Sequence, residues 1–303
     1  MEQRTEKLNI LVTLDRNYIP YLNVMLFSLL QSNPDCNFDV YLLHSSLSDE
    51  DAASTVKVLG SSGRLIMVNA GEERLEGAPT TARYPKEIYY RIFAAKYLPE
   101  TLDRVLYLDP DVIVNGSVKE LYRLPLDEYY FAAASHNGPL LRRVNGIRLD
   151  MDEDGLYINS GVLLMNLKRL RAEQDFEEVF QFVEKRRRFL VLPDQDIISS
   201  LYGSKIFALD PFRYNMTERL YMLHAPFEKD LDLDWVRRHS VIIHYCGRNK
   251  PWKENYFGQL DVFYKETVER MKEAGLMPLK KVRDSYWRGP RLRRDRFRAY
   301  ISK

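Results

Sequence analysis

Apolar runs and helical stripes alternate along the first half of the chain. Residues 8–14 form a near-continuous apolar run, which is typical of a strand buried on both faces of a sheet. Similar runs at residues 38–43, 65–68 and 105–108 predict three more strands. Side chains at helical spacing lie between them, at Leu22, Met25, Leu26, Leu29 and Leu30 and again at Ala52, Thr55, Val56 and Leu59. This order predicts an α/β fold, a Rossmann-like and mostly parallel sheet flanked by helices.

The second half is less regular but contains both kinds of element. Residues 131–134, 161–165 and 241–245 are predicted as strands. Two helices are predicted, one from about residue 176 to residue 188 and one over residues 260–271. Pro278 marks the break that follows. We therefore expect one domain over residues 1–279 and a tail over residues 280–303.

The composition is that of a globular protein with a large core. Of the 303 residues, 45% are hydrophobic and 12% aromatic, which excludes a disordered chain. No apolar run approaches the roughly 18 residues that span a bilayer, and the mixed-charge N-terminus is a poor signal peptide. Cys36 and Cys246 make neither a disulfide framework nor a zinc site. We therefore expect a protein of the reducing cytosol.

The net charge of +2 conceals a basic C-terminal tail. Residues 280–303 hold ten bases and two acids, a charge of +8, whereas the remainder of the chain carries −6. Aromatic and aliphatic side chains alternate with these bases, which suits an amphipathic segment on an anionic membrane surface. A solvated tail is the alternative. Nucleic acid is not expected as a partner, because the acidic body would repel it.

Candidate chemistry lies just past the strands, where open α/β sheets bind ligands. The first strand leads into Asp15 and Asn17, and the fourth leads into Asp109 and Asp111. Two carboxylates at this spacing can both reach one Mg²⁺ or Mn²⁺ ion, although acidic pairs also occur in ordinary surface turns. No glycine-rich dinucleotide motif follows the first strand and no Walker A motif occurs. Ordinary dinucleotide and P-loop chemistry are therefore not expected.

The late segment HYCGRNKPW, residues 244–252, carries a second group of candidates. His244 could complete a metal site of nitrogen and oxygen ligands, which favours Mn²⁺ over Mg²⁺. Gly247 allows a ligand to approach the backbone closely, and Lys250 offers a mobile positive charge for a phosphate. Taken singly, each has an ordinary structural interpretation, such as a strand histidine or a solvated base.

Five motifs occur in one order: TLDRNY (13–18), YLDPD (107–111), NSGVLLMNL (159–167), PDQD (193–196) and HYCGRNKPW (244–252). This series resembles glycosyltransferase family 8, the retaining transferases that use UDP-sugars. It is most similar to the bacterial lipooligosaccharide galactosyl- and glucosyltransferases. The resemblance spans about residues 8–257, and the combination is far more specific than any single motif.

The resemblance implies a GT-A fold, with a nucleotide-sugar-binding half over about residues 8–115 and an acceptor half over about residues 116–279. It implies that Asp109, Asp111 and His244 hold Mn²⁺, or Mg²⁺, against the diphosphate of a UDP-hexose. The donor-binding residues that it implies are Thr13, Asp15, Asn17, Tyr18, Arg91, Asn159, Gly247 and Lys250. Tyr18 would stack on uracil. Arg91 could otherwise be a surface helix arginine.

The same resemblance places Asp194 and Gln195 beside the donor sugar and, with Lys250, in the catalytic group. A helix N-cap is the alternative role of Asp194 and Gln195. Because Gln195 is a poor nucleophile, retention by front-face attack is favoured over double displacement. Where the family commonly has an acidic residue near the donor sugar, this chain has Asn137, an uncharged amide. Glucose and galactose therefore both stay open as the donated hexose.

Three other functions match parts of the sequence. A metal-dependent phosphohydrolase would carry its acidic pair after the first strand, whereas here the pair follows the fourth. A non-catalytic UDP-sugar-binding protein would be expected to have lost the metal residues, which this chain retains. A self-glycosylating primer of the glycogenin kind is permitted by the 20 tyrosines, none of which is singled out.

We therefore expect a cytoplasmic hexosyltransferase, peripheral on the inner face of the plasma membrane, that acts in bacterial cell-envelope or lipopolysaccharide synthesis. Its acceptor is expected to be a hydroxyl of a glycan or glycolipid, held by the loops over residues 135–157 and 210–234. Arg142, Arg143 and Arg148 in the first loop predict an anionic acceptor such as a phosphorylated glycolipid.

Overall fold

The computed structural model describes residues 6–71 and 87–276, in which strands and helices alternate. The strands are β1 (Glu6–Thr13), β2 (Cys36–His44), β3 (Gly63–Asn69), β4 (Arg104–Leu108), β5 (Val112–Val114), β6 (Phe131–Ala134), β7 (Val162–Asn166), β8 (Ile206–Leu209) and β9 (Ile242–His244). The helices are α1 (Ile19–Ser32), α2 (Asp49–Leu59), α3 (Glu87–Ile92), α4 (Ala94–Tyr97), α5 (Lys119–Tyr122), α6 (Pro139–Leu149), α7 (Leu167–Glu173), α8 (Phe176–Arg186), α9 (Pro193–Tyr202), α10 (Pro211–Tyr214), α11 (Glu218–His224), α12 (Leu233–His239) and α13 (Asp261–Glu273).

Seven of these strands form one sheet in the order β3-β2-β1-β4-β7-β6-β8. β1 is parallel to β2 and β4, β2 to β3, and β6 to β8, whereas β7 is antiparallel to both of its neighbours. β5 and β9 form a separate antiparallel pair. The mostly parallel sheet, with helices on its faces, confirms the predicted α/β fold class.

The sheet is buried on both faces, which explains the apolar runs in the sequence. Along β1, Leu8, Ile10 and Val12 pack into one core, and Leu11 packs into the other. The first core lies under α1 and includes β5, β9 and α13. The second lies under α3, α4 and helices α7 to α9. Because alternate side chains of a strand point to opposite faces, a strand covered on both sides must be apolar throughout.

Most of the predicted elements in the first half correspond to observed ones, and a few elements differ. The four strands predicted in the first half correspond to β1 to β4, and the Ser48–Asp51 capping box begins α2 with both of its hydrogen bonds. The predicted late strand corresponds to β9, but it pairs with β5 outside the main sheet. Residues 87–97 form two helices, α3 and α4, which are separated at Phe93. The basic tail lies outside the described residues.

None of the helices in residues 6–71 and 87–276 combines the length and the apolar character needed to cross a bilayer.

Candidate metal and donor site

The carboxyl ends of β1 and β4 lie side by side because the two strands are parallel neighbours. Thr13 ends β1, and its hydroxyl lies 3.2 Å from the hydroxyl of Tyr107 on β4. Tyr107 in turn donates to Asp109 Oδ1 at 2.5 Å, so Thr13 is the donor to Tyr107. Burial raises the pKa of Tyr107 well above its ordinary value, which keeps this phenol protonated. A chain of hydroxyls thus fixes one oxygen of Asp109.

The acidic pair meets His244 because β5 begins directly after Asp111 and pairs with β9. This pairing sets Val112 opposite His244. His244 Nε2 lies 3.3 Å from Asp111 Oδ1 and 3.8 Å from Asp109 Oδ2. One ligand atom from each of the three residues lies within 4.8 Å of the other two. The fold thus brings all three predicted metal ligands into one cluster that could hold a metal ion.

Two features of this cluster fit a divalent cation. Asp111 Oδ1 is buried and has no hydrogen-bond partner, which is costly unless a cation or water satisfies it. Gly161 lines the cluster, and a Cβ there would lie 2.8 Å from Asp109 Oδ2 and 2.9 Å from His244 Nε2. The absence of a side chain at Gly161 therefore keeps the space open. Two carboxylates and one imidazole match the ligand preference of Mn²⁺.

Two asparagines orient the ring of His244. The backbone N–H of Gly161 donates to Asn159 Oδ1 at 3.1 Å, which fixes that oxygen as an acceptor. Asn215 Nδ2 donates to the same oxygen at 3.0 Å, so Asn215 Oδ1 turns toward His244 Nδ1, 2.9 Å away. An amide oxygen can only accept, so Nδ1 carries a proton, and Nε2 faces the carboxylates as the ring nitrogen that would bind a metal.

Arg91 lies within the site rather than on the helix surface, the alternative that the sequence allowed. Its side chain is only 17% exposed, and its guanidinium contacts Asp109 Oδ1 at 3.2 Å and Asp194 Oδ2 at 2.8 Å. It also lies over the ring of Tyr107. Burial disfavours its charge, but the carboxylates of Asp109 and Asp194 outweigh this and raise the pKa of Arg91. Arg91 is therefore a fixed cation that joins the acidic pair to Asp194.

Asp194 lies in the first turn of α9, but its side chain faces the site. Its Oδ2 accepts hydrogen bonds from Arg91 and from the hydroxyl of Ser160, each at 2.8 Å. The N-cap of α9 is Leu192, which makes no side-chain cap, so the N-cap alternative for Asp194 and Gln195 is wrong. Gln195 is buried.

Arg148 forms an ion pair inside the protein. Of the three arginines expected to bind an anionic acceptor, only Arg142 and Arg143 therefore stay candidates. Its guanidinium donates to both oxygens of Asp196, at 2.8 and 2.9 Å, and Asp196 is fully buried. Asp196 also accepts from the hydroxyl of Tyr157 at 2.7 Å. Arg148 therefore stabilises the fold as the partner of Asp196, whereas Arg142 and Arg143 are exposed.

Lys250 is buried at the cluster rather than free in solution. Its ammonium contacts a carboxylate oxygen of Asp111 and donates to the carbonyl of Tyr245 at 2.8 Å. Burial alone would raise the pKa of Asp111, but His244 and Lys250 outweigh it and lower that pKa, so Asp111 stays ionised. The sequence suggested that Lys250 is a mobile positive charge, but in this structure its ammonium is paired with Asp111, a predicted metal ligand.

Gly247 has a backbone conformation that favours glycine. Its φ is +76°, a value that other residues rarely adopt. A Cβ at this position would meet no protein atom within 4 Å, so the space beside Gly247 is open, and the close approach of a ligand to its backbone stays a prediction. The glycine lets the chain turn sharply between His244 and Lys250.

The TLDRNY segment continues from β1 to the mouth of the site. Asp15 Oδ1 accepts from the backbone N–H of Asn17 at 2.8 Å and caps the short helical turn Arg16–Tyr18. Asp15 and Asn17 are exposed. Burial, followed by the charges of Asp111, Asp15 and Asp109, raises the pKa of Tyr18. Tyr18 therefore lies near the acidic pair with part of its ring open to solvent.

Sequence reasoning missed several residues of the site. Asn215 and His136 were not singled out, and no local pattern marks them, because their contacts join distant segments. His136 Nε2 donates to the carbonyl of Asn215 at 2.7 Å, and burial lowers the pKa of His136 to about 4. Tyr107 and Ser160 lie inside the YLDPD and NSGVLLMNL motifs, and this position could have identified them as residues of the site. Asn137 is half-buried next to His136.

Comparison with known proteins gives a consistent result. The sequence profile described as "Glycosyl transferase family 8" matches residues 9–256. A lipopolysaccharide 1,2-glucosyltransferase of Escherichia coli is 26% identical over 269 residues, which cover 88% of this chain and 78% of the relative. A lipopolysaccharide 1,3-galactosyltransferase of Salmonella typhimurium is 28% identical over 255 residues, which cover 82% and 73%.

A solved structure shares the fold. The galactosyltransferase LgtC, crystallised with donor and acceptor sugar analogues, superimposes with a TM-score of 0.71 at 24% identity. The match covers 89% of this chain and the whole of that chain, and it supports the GT-A fold. Since the family profile spans four fifths of the sequence and includes every motif described above, the chain belongs to glycosyltransferase family 8.

Proposed function

We propose that this protein is a metal-dependent, retaining hexosyltransferase that moves glucose or galactose from a UDP-hexose to a hydroxyl of a glycan or glycolipid. The cluster of Asp109, Asp111 and His244 at the carboxyl ends of the strands carries this proposal. Relatives that are named as lipopolysaccharide glucosyl- and galactosyltransferases support both hexoses and a role in cell-envelope synthesis.

In this proposal, Asp109, Asp111 and His244 hold Mn²⁺, with Mg²⁺ as the alternative. A divalent cation bound there supplies positive charge that stabilises the departing diphosphate. Lys250 and the backbone at Gly247 contact the diphosphate as well. The uridine and sugar contacts are assigned by the family resemblance to Thr13, Asp15, Asn17, Tyr18, Arg91, Asn159, Asp194 and Gln195.

The contacts of Asp194 favour front-face attack over a double displacement. Arg91 and Ser160 both bind Asp194 Oδ2, so the carboxylate is held by an ion pair and a hydrogen bond. A carboxylate neutralised in this way is a weak nucleophile. In the front-face route the acceptor hydroxyl attacks the anomeric carbon, its proton passes to the departing phosphate oxygen, and Asp194 orients the sugar. The bond from the anomeric carbon to UDP breaks on the same face.

We also propose where in the cell the protein acts. We place the protein in the cytoplasm, where UDP-hexoses are made, with residues 1–279 acting as one domain and the tail, residues 280–303, on an anionic membrane surface. Its partners are the UDP-hexose, the glycan or glycolipid acceptor and that surface.

Release of UDP from a panel of UDP-sugars tests the proposal. Transferases of this kind lose sugar slowly to water even without an acceptor. We expect release from UDP-glucose or UDP-galactose in Mn²⁺, and none after addition of a chelator. Release from neither donor, while UDP still binds in Mn²⁺, would favour a non-catalytic UDP-sugar-binding protein. The absence of both UDP release and UDP binding would overturn the proposal.

A further inference from the structure

Helix α6 exposes an apolar stripe on one face. Leu140, Val144 and Ile147 are exposed by 76%, 51% and 74% and lie at i, i+4 and i+7, so they share one side of the helix. Leu149 is fully buried and faces the protein on the other side. An amphipathic helix normally turns its apolar stripe inward, so this outward orientation needs an explanation.

The segment that follows α8 extends this stripe. Phe189, Val191 and Leu192 are about half exposed. Arg148 of α6 donates to the carbonyl of Phe189 at 2.6 Å, which joins this segment to α6. We call the exposed apolar side chains of α6 and of residues 189–192 the α6 surface. It contains more than half of the large apolar side chains that are exposed in the described residues, so it is a concentrated patch rather than normal scatter.

Basic side chains border the α6 surface. Arg143 is exposed on the same side of α6, three residues after Leu140 and four before Ile147, and the run Lys185 to Arg188 lies just before Phe189. Acidic residues also occur nearby, at Asp150 and at positions 152–154, and Asp150 is paired with Arg186. The positive charge therefore lies beside the apolar side chains, and most of the acidic charge follows the end of α6.

Shape and charge together select the partner. Leu140 and Ile147 project from the helix with three quarters of their surface exposed, so the α6 surface is a ridge rather than a groove for a peptide. An apolar ridge flanked by arginines is the arrangement that enters the headgroup region of an anionic bilayer, where arginine side chains reach the phosphates.

The α6 surface is connected to the metal site through the segment between β6 and α6. β6 ends at Ala134, and α6 begins five residues later. Between them, His136 donates to the carbonyl of Asn215, which orients His244. We propose that the α6 surface docks the protein on an anionic lipid bilayer and so turns the donor site toward the headgroups. The docking stands on the surface itself, whereas its use in presenting a membrane-anchored acceptor depends on the proposed function.

Amide hydrogen exchange of the full chain tests the docking without any label. With vesicles of phosphatidylcholine containing phosphatidylglycerol, we expect slower exchange in residues 139–149 and 186–192 and no change in α2, whose exposed Val56 serves as the internal reference. Protection confined to residues 277–303 would overturn the proposal. Protection that arises without vesicles and grows with protein concentration would show self-association and would also overturn it.

Two variants give an independent measurement by vesicle flotation. Leu140→Ser combined with Val144→Ser and Ile147→Ser should lower the partition coefficient at least about tenfold, whereas the matched control Val56→Ser should not change it. Arg143→Gln should weaken binding only to anionic vesicles and thus tests the surface without removing apolar side chains. Unchanged flotation of both variants would contradict the docking. In both variants, UDP release measured without vesicles should equal that of the wild type. This measurement distinguishes failure of the docking proposal from failure of the proposed function.

Discussion

Asn215 fixes the tautomer of His244. Its amide oxygen lies 2.9 Å from His244 Nδ1, and its own orientation is set by Asn159, whose oxygen also receives the N–H of Gly161. The metal-facing nitrogen of a predicted ligand is therefore determined by a backbone group on another segment. Hydrogen-bond partners of metal-binding histidines fix the orientation of the ring, and their loss typically weakens metal binding.

Replacement of Asn215 should weaken metal binding more than it weakens the fold. In Asn215→Ala the ring loses its acceptor, so we expect the dissociation constant for Mn²⁺ to rise about 10- to 100-fold by titration calorimetry. Asn215→Asp keeps an acceptor for Nδ1 and should retain most of the affinity. If both variants bind Mn²⁺ like the wild type while melting at the same temperature, the orienting role is wrong.

A methyl group at Gly161 should close the metal site. The added Cβ would lie 2.8 Å from Asp109 Oδ2 and closer still to His244 Cε1, so the ligands must separate to admit it. We expect Gly161→Ala to lose Mn²⁺ binding in calorimetry. Gly146→Ala on α6 is the matched control, since a Cβ there meets nothing within 4 Å. Normal Mn²⁺ affinity in Gly161→Ala would show that the cation binds elsewhere.

The sequence predicted the first half of the fold well because its elements are locally encoded. β1, β2 and β4 are largely buried, so each contains an apolar run, and the capping box of α2 is contained in four consecutive residues. β5 and β8 were not predicted, although the equally short β6 and β9 were, because an apolar run of three or four residues is an ambiguous signal. The pairing of β9 with β5 was missed because partners in sheets are chosen by tertiary contacts.

The site was predicted where motifs carry it and missed where distant contacts complete it. Asp109, Asp111 and His244 were assigned from strand ends and from family resemblance, and the structure brings them together. The burial of Lys250 against Asp111, a residue 139 positions earlier, could not be inferred from a lysine in a loop. The same holds for Arg148, which resembled an exposed acceptor contact and proved to be the partner of a buried carboxylate.

Lys250 should affect metal binding and turnover in opposite directions. Its ammonium contacts Asp111 in this structure, so a cation must compete with it for the carboxylate. Lys250→Met removes that competitor, and we expect Mn²⁺ to bind as tightly as in the wild type or more tightly. Turnover of the UDP-hexose should fall at least about 100-fold, because the charge offered to the departing diphosphate is lost. Parallel losses of metal affinity and turnover would contradict this separation of roles.

His136 should make stability depend on pH below neutrality. Its pKa falls from the ordinary 6.5 to about 4 because burial disfavours the charged ring. Between these values the unfolded chain binds a proton that the folded protein does not, so stability decreases as the pH falls from 6.5 to 4. The loss reaches about 3 kcal/mol below pH 4 and is absent at pH 7. Urea unfolding of His136→Gln should show a smaller decrease between pH 7 and pH 5 than the wild type. An equal decrease would contradict the burial of a neutral His136.

The rate of UDP release by Asp109→Asn in Mn²⁺ tests the central claim most directly. Asparagine keeps the shape of the side chain but removes the charge that a divalent cation requires. We predict release from the preferred UDP-hexose at least about 100-fold slower than in the wild type, and an unchanged rate in the exposed control Asp127→Asn. A wild-type rate in Asp109→Asn, insensitive to a chelator, would show that the Asp109–Asp111–His244 cluster is not the metal site of a UDP-hexose transferase.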